Sequence, residues 1–391
     1  MIGIIADDLT GAGDAGLHFA DAGLSTVIQV FQEGEYAVEQ NTPEVYIINT
    51  DSRFDDPKKA YDKVKNASRQ LKAMGVTSVF KKIDSTLRGN IGAEIDALFD
   101  EFDIEVLPFC AAFPDMGRTT VNGHLLVYDK LVTQTEFATD SRNPVLESHI
   151  PTLLANQTKN SDFIIVCEAS SRDDVKEFVK EISRSELEVV VGSAGFAKEL
   201  VEAWTGRKPR RKSIKNSSLK KTDTKSLNPV LLISGSRNGT TYSQIEKLSS
   251  ISEIMFVPVD FSENKVKLAN WLDTSGTADS MEKSQGKSML IFALSKSKQL
   301  DPRRVMNILS QLAGTLCKKG LFRKLILAGG DTAVNVCRVL NIGKLRLLRS
   351  VLPGMALCSD MENRYSIILK PGSFGDEDAL VKCYGFLKEE E

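Results

Sequence analysis

The chain has 391 residues, 42% of them hydrophobic and 26% charged, with a formal net charge of −2. That length exceeds one ordinary core and predicts two domains, while the near-neutral balance argues against nucleic acid or an anionic membrane as partner. The six cysteines form no C-x-x-C pair and the three histidines share no metal-ligand spacing, so neither a disulfide nor a metal site is expected. Cys110, Cys167 and Cys337 lie in or beside apolar runs and read as buried thiols. The N-terminus lacks a basic region followed by an apolar stretch, and no run reaches membrane-spanning length, which leads to the expectation of a cytoplasmic protein.

Apolar runs at 2–6, 25–30, 45–49, 78–82, 104–108, 163–167 and 188–192 read as buried strands. Between them, 57–74, 92–100 and 171–184 have helical periodicity, with Ser171 placed to cap the last of these. Residues 119–160 break the rhythm and read as an insertion or a small antiparallel excursion. The stretch "RKPRRKSIKNSSLKK" (207–221) has eight basic residues, no acidic one and no aromatic for base stacking. It reads as a solvated linker over 207–229. Beyond it the alternation restarts: strand 230–234, a helix near 242–250, strands 254–259 and 289–294, helix 301–318 and strand 325–329. The fold class expected is α/β, with two α/β domains (1–206 and 230–391) built on mostly parallel sheets.

The segment "IADDLTGAGDAG" (4–15) matches the dinucleotide fingerprint through Gly11, Gly13 and Gly16, but "DDLT" separates the strand from the first glycine. Two carboxylates there would repel a pyrophosphate. The alternative reading makes Asp7 and Asp8 ligands at the carboxyl end of the first strand, joined by Thr10 and Asp14, with the glycines letting the backbone turn tightly behind them. "KKIDSTLRGNIG" (81–92) gathers Lys82, Asp84, Ser85, Thr86 and Arg88 at a second strand end. The cations there suit a carboxylate, and the hydroxyls and Asp84 suit sugar hydroxyls. Arg118, in "AAFPDMGRTTVNGHL" (111–125), is a further anion contact, whereas Gly192 and Gly195 of "VGSAGFAKEL" read as close packing. The second half carries four Gly-rich loops, "LLISGSRNGT" (231–240), "LILAGGDTAVNV" (325–336), "LPGMAL" (352–357) and "LKPGSFGDEDAL" (369–380). Gly329 and Gly330 before Asp331 and Thr332 would leave amide groups free at a helix N-terminus, and no Walker A sequence is present.

In this order the motifs resemble the four-carbon acid sugar kinase family, over nearly the whole chain, with Phe196, Met355 and Ala356 departing from its usual residues. The resemblance implies an acid-sugar-binding N-terminal domain, an ATP-binding C-terminal domain and reaction in the cleft between them. It implies an acid-sugar site formed by Asp7, Asp8, Lys82, Asp84, Ser85, Thr86 and Arg88. The nucleotide site would comprise Ser234, Gly235, Ser236, Gly329, Gly330, Asp331, Thr332, Pro353, Gly354, Met355, Gly372, Ser373 and Gly375. On this reading Lys82 or Arg88 holds the substrate carboxylate, and Asp7, Asp8 or Asp14 accepts the hydroxyl proton. Mg²⁺ would arrive with ATP, and a homodimer is the commonest assembly for such a chain. The readings from other classes are an NAD(P)-dependent oxidoreductase using the first glycines, and a non-catalytic nucleotide-sensing or nucleic-acid-binding protein.

Overall fold

The computed structural model describes residues 1–30, 43–140, 142–184, 188–208, 229–236, 238–251, 254–259, 288–293 and 302–390. The chain divides into two compact units, Met1–Arg210 and Arg211–Glu391. The boundary falls inside the basic stretch, most of which (209–228) lies outside the described residues. Among the described residues no helix is long and apolar enough to cross a membrane.

The N-terminal unit begins with β1 (Ile2–Ala6), α1 (Leu9–Asp21), β2 (Thr26–Gln29), β3 (Val45–Asn49), α2 (Pro57–Ala73), β4 (Ser78–Lys82), α3 (Ile91–Phe99) and β5 (Leu107–Cys110). An antiparallel excursion follows, β6 (Arg118–Val121), β7 (His124–Val127) and β8 (Lys130–Leu131), and then α4 (Ile150–Gln157). The unit ends with β9 (Ile164–Val166), α5 (Arg172–Arg184), β10 (Val189–Gly192) and α6 (Ala194–Thr205). Seven strands pair in the order β2-β3-β1-β4-β10-β5-β9, every pair parallel. The strand expected at 104–108 lies instead at Leu107–Cys110, because the apolar run continues past Pro108 and pairs with both β9 and β10. Polar side chains start the helices. Asp56 caps α2 with Pro57 at its first turn, Ser193 caps α6, and the Ser171 hydroxyl accepts from the Asp174 amide at 3.3 Å.

The C-terminal unit has β11 (Val230–Ser234), α7 (Gly239–Leu248), β12 (Ile254–Val259), β13 (Ser288–Ala293), α8 (Pro302–Lys318), β14 (Lys324–Ala328) and α9 (Gly330–Val339). It closes with β15 (Lys344–Leu352), β16 (Met355–Asp360), β17 (Ser366–Lys370) and α10 (Ala379–Glu389). The order is β12-β13-β11-β14-β17-β16-β15; the first five are parallel, and β16 runs antiparallel to both its neighbours.

In each unit two neighbouring strands send the chain in opposite directions along the sheet. β1 leads through α1 to β2 on one side, while β4, its other neighbour, leads through α3 to β5 on the far side. Likewise β11 leads to β12 and its neighbour β14 leads to β15. The loops leaving such a pair diverge and open a crevice at the carboxyl edge, the ordinary ligand position of an open α/β sheet. The core of both units is aliphatic, and all six cysteines are free and buried.

Candidate active site

At the first of these switch points Ala6 of β1 lies beside Lys82 of β4, so the residues that follow the two strands emerge together. Asp7 leaves β1 and is 2% exposed. Arg53, from the polar run after β3, grips it with two nitrogens, Nε to Oδ2 at 2.6 Å and Nη2 to Oδ1 at 2.8 Å, and Nη2 also reaches Asp8 Oδ1 at 2.8 Å. Asp8 caps α1 by accepting from the Gly11 amide at 2.9 Å and also accepts from the Thr10 hydroxyl. Burial works against its charge, yet Arg53 and Lys82 hold its carboxyl below the ordinary carboxylate range.

The structure corrects the reading of the glycines. Gly11, Gly13 and Gly16 are not in a turn; they lie inside α1, which starts at Leu9. No Gly-rich turn separates β1 from the helix, so a pyrophosphate has no cradle there. Gly11 serves close approach instead: a Cβ at that position would stand 2.5 Å from Asp8 Oδ1 and 3.2 Å from Lys82 Nζ. Gly11→Ala is therefore expected to displace the Asp8 carboxylate and lower kcat/KM by as much as about 10²-fold, read from steady-state kinetics. A loss below twofold would show that Asp8 need not be held where it is.

Asp14 occupies the second turn of α1 and is 3% exposed. Its Oδ1 meets no hydrogen-bonding atom among the described residues. Burial pushes its pKa up to about 7, with Asp8 adding to the rise and Lys82 and Arg118 opposing it. Lys82, 4% exposed, donates to the Ile83 carbonyl at 2.6 Å. Arg118, 3% exposed, donates to the Met116 carbonyl and lies with its guanidinium 5.6 Å from the Tyr128 ring centre. The three aspartates differ by environment: Asp7 and Asp8 are ion-paired, and Asp14 is buried without a hydrogen-bonded partner on Oδ1.

The 84–90 turn crosses this edge, with Leu87 at φ 63° and Gly89 at φ 113°. A Cβ on Gly89 would lie 3.4 Å from Asp7 Oδ2, so the turn passes directly over the ion pair. Asp84 accepts from the Thr86 hydroxyl and from Arg88 Nε at 2.7 Å. Although burial opposes it, Arg88 and Arg53 hold the Asp84 carboxyl far below its ordinary range. Arg88 also reaches Asp140 at 3.2 Å and lies 5.1 Å from the Phe137 ring centre, and Asn143 accepts from the Gly89 amide at 3.1 Å. The segment between β8 and α4 thus fastens the turn. Ser85, 5% exposed, sits in the same turn.

At the second switch point Ser234 pairs with Ala328 at the ends of β11 and β14. Gly329 has φ 102°, a conformation that needs glycine, and caps α9 without a side chain. The Gly329 amide donates to the Lys370 carbonyl at 2.8 Å and so is not free, contrary to the expectation from the sequence; the helix starts at Gly330, with Asp331 in its first turn. The Gly235 amide donates to Thr332 Oγ1 at 3.2 Å. A Cβ on Gly372 would lie 2.8 Å from Ser236 Oγ, and one on Gly375 would lie 2.6 Å from Met355 Cε. Gly354, at φ 73°, forms the tight turn after Pro353 between β15 and β16. Residues 234–236, 329–332, 353–355 and 372–375, Ser373 among them, are thus brought to one edge of one sheet. Among the described residues no group of three or more His, Cys, Asp or Glu side chains could hold a metal ion.

Two family models match the chain, a sugar-binding N-terminal domain over residues 2–163 and a nucleotide-binding C-terminal domain over residues 231–380. A D-threonate kinase of Bordetella bronchiseptica is 30% identical, the alignment covering 99% of this chain and 98% of that protein. The chain belongs to the four-carbon acid sugar kinase family. A D-erythronate kinase of Heliobacterium modesticaldum is 27% identical over 98% of this chain and 96% of its own. A 3-oxo-tetronate kinase of Haemophilus influenzae is 26% identical over 98% of this chain and 99% of its own. Solved structures share the fold: a Salmonella typhimurium protein at TM-score 0.71 and 21% identity, covering 97% of each chain, and a Haemophilus influenzae protein at TM-score 0.69 and 21% identity, covering 98% and 100%.

Some residues of this acid sugar kinase escaped the sequence reading. Arg53 was one, although "NTDSRF" (49–54) is a polar run at the carboxyl end of a buried strand, the same signal that marked Asp7 and Asp84. The buried pair Lys81–Glu94 (2.7 Å), with Ser52 donating to Glu94 at 2.5 Å, was another. Lys81 and Lys82 are adjacent in β4 and therefore point to opposite faces of the sheet, one toward α3 and one toward α1.

Proposed function

We propose that this kinase transfers the γ-phosphoryl group of ATP to the terminal hydroxyl of a four-carbon sugar acid of the threonate or erythronate type. The observation that carries the reading is the match of named four-carbon acid kinases along virtually the whole chain, with both domain models in order. The acid sugar binds at the β1/β4 edge and ATP at the β11/β14 edge, with Mg²⁺ entering as the phosphate complex of the nucleotide. Lys82 is the better of the two candidate carboxylate contacts. One of its three N–H groups goes to Ile83, whereas Arg88 is already shared between Asp84 and Asp140. Asp7, Asp8, Asp84 and the Thr86 hydroxyl supply acceptors and donors for the sugar hydroxyls.

Asp14 takes the proton from the attacking hydroxyl. Asp8, held below the ordinary carboxylate range by Arg53 and Lys82, is a weak base, while a carboxylate with a pKa of about 7 is matched to neutral pH. The chemistry asks mainly for positioning and charge stabilisation, and the amides of the Gly-rich loops suit the growing charge on the phosphates. The test is an ATP-consumption screen with the whole protein over threonates, erythronates and their 3-keto and lactone relatives. Turnover with one four-carbon acid and little with the lactones is expected. No phosphorylated product from any of these acids would overturn the reading.

A further inference from the structure

Behind the turn that follows β17 lies a set of side chains for which the chemistry proposed above has no use. Lys370, the last residue of β17, is 0% exposed. Its Nζ donates to the carbonyl oxygens of Pro371 at 2.9 Å and Gly372 at 3.2 Å. Thr241 of α7 donates to the same Gly372 oxygen at 2.7 Å. Gln244, one turn further along α7 and also 0% exposed, spends its amide nitrogen on three consecutive carbonyls, those of Phe374 (3.0 Å), Gly375 (3.1 Å) and Asp376 (2.8 Å). Five carbonyls of a six-residue stretch are therefore drawn inward by three side chains.

A trans peptide holds its C=O and the following N–H on opposite sides of one plane. Fixing those oxygens inward turns the next amides the other way. Among the described residues, the N–H groups of Gly372, Ser373, Gly375 and Asp376 meet no hydrogen-bond acceptor. Gly372 approaches Ser236 across the edge, and Gly375 has φ 89°. Successive outward amides of this kind form an anion-binding concavity.

We infer that Lys370, Thr241 and Gln244 are positioning residues for the nucleotide phosphates: they act through the 371–376 turn, pulling its carbonyls inward so that its amides face the phosphate chain. The inference rests on the C-terminal unit being the ATP site. Lys370 has a second effect. Burial lowers its pKa to about 8, so at neutral pH it carries most of a positive charge directly behind the turn.

The experiment compares the whole protein with Lys370→Met, Gln244→Leu and Thr241→Val, measuring ADP affinity by calorimetry and the KM values for ATP and for the acid sugar separately. Lys370→Met and Gln244→Leu are each expected to weaken ADP binding and raise KM for ATP roughly tenfold or more, and Thr241→Val several-fold. KM for the acid sugar should move less than about twofold, a split that general loosening of the fold would not produce. Thr241→Val removes one hydroxyl, with its contacts to the Gly372 carbonyl and to Ser236 Oγ, and keeps the question answerable should Lys370→Met fail to fold. ADP affinity unchanged in the folded variants would overturn the inference. A wild-type protein that binds no ADP would instead overturn the reading of this unit as the nucleotide site.

Discussion

Asp14→Asn is expected to lower kcat by about 10²–10⁴-fold while making the protein more stable above neutral pH. The two effects have one cause. In the unfolded chain the carboxyl ionises near 3.8; in the folded protein burial raises its pKa to about 7. Between those values the native state binds more protons than the unfolded state, so stability falls as pH rises through the window and stays low above it. The rise corresponds to as much as about 4 kcal/mol that the ionised carboxylate costs at alkaline pH. Asn carries no such cost. Thermal melts of the two proteins should therefore agree best near pH 4 and separate progressively up to pH 7, with the variant melting higher. The wild-type pH–rate profile should lose activity below about pH 7 as Asp14 takes up its proton. If Asp14→Asn keeps wild-type kcat, the base is another group. If it kills activity but melts identically at every pH, the carboxylate is not ionised in isolation as described.

Arg53→Leu is expected to be the most destabilising single change in the site. It strands Asp7, 2% exposed, together with Asp8, after removing three nitrogen–oxygen contacts of 2.6 to 2.8 Å. Breaking a buried pair by deleting one partner costs about 3–5 kcal/mol, because an uncompensated charge remains in a low-dielectric environment. For a unit of this size that is a fall in Tm of about 10 °C. The double variant Arg53→Leu/Asp7→Asn removes one stranded charge and should recover part of the loss in the same melts, although not the activity. A fall of less than about 3 °C in the single variant would mean that water reaches Asp7 freely.

The layered α/β character was legible because strands covered on both faces become continuous apolar runs, and those runs stood out from "IGIIA" onward. Loops at strand ends were legible for a related reason: "DDLT", "DSTLRGN" and "GGDT" interrupt the apolar pattern with polar or small residues where the chain leaves the sheet. What stayed hidden depended on distant partners. Asp7, Asp8 and Asp14 are alike in sequence; Asp7 and Asp8 are set apart by their ion pairs with Arg53, which lies 46 positions from Asp7 and arrives because β3 pairs with β1. The glycines misled for the opposite reason. Local propensity makes three glycines a helix breaker, yet α1 forms across them because Asp8 caps it and ten of its residues are buried. "KLRLLRSVL" (344–352) is similar: good helix formers pressed into β15 by pairing with β16. The 371–376 turn announced itself by its glycines, but its anchors on α7 lie some 130 residues earlier in the chain.

Each switch point is flanked by strands and helices of its own unit: β1, β4, α1 and α3 for one, β11, β14, α7 and α9 for the other. For heredity this is a separation of concerns. If the acid and the phosphates bind as proposed, substitutions among the first 210 residues would reshape the hydroxyl and carboxylate contacts while the 371–376 turn stays as it was, so the choice of acid and the phosphoryl donor would drift independently. Relatives named for threonate, erythronate and 3-oxo-tetronate, all of them kinases and all alignable end to end with this chain, are what such a division of labour would leave behind.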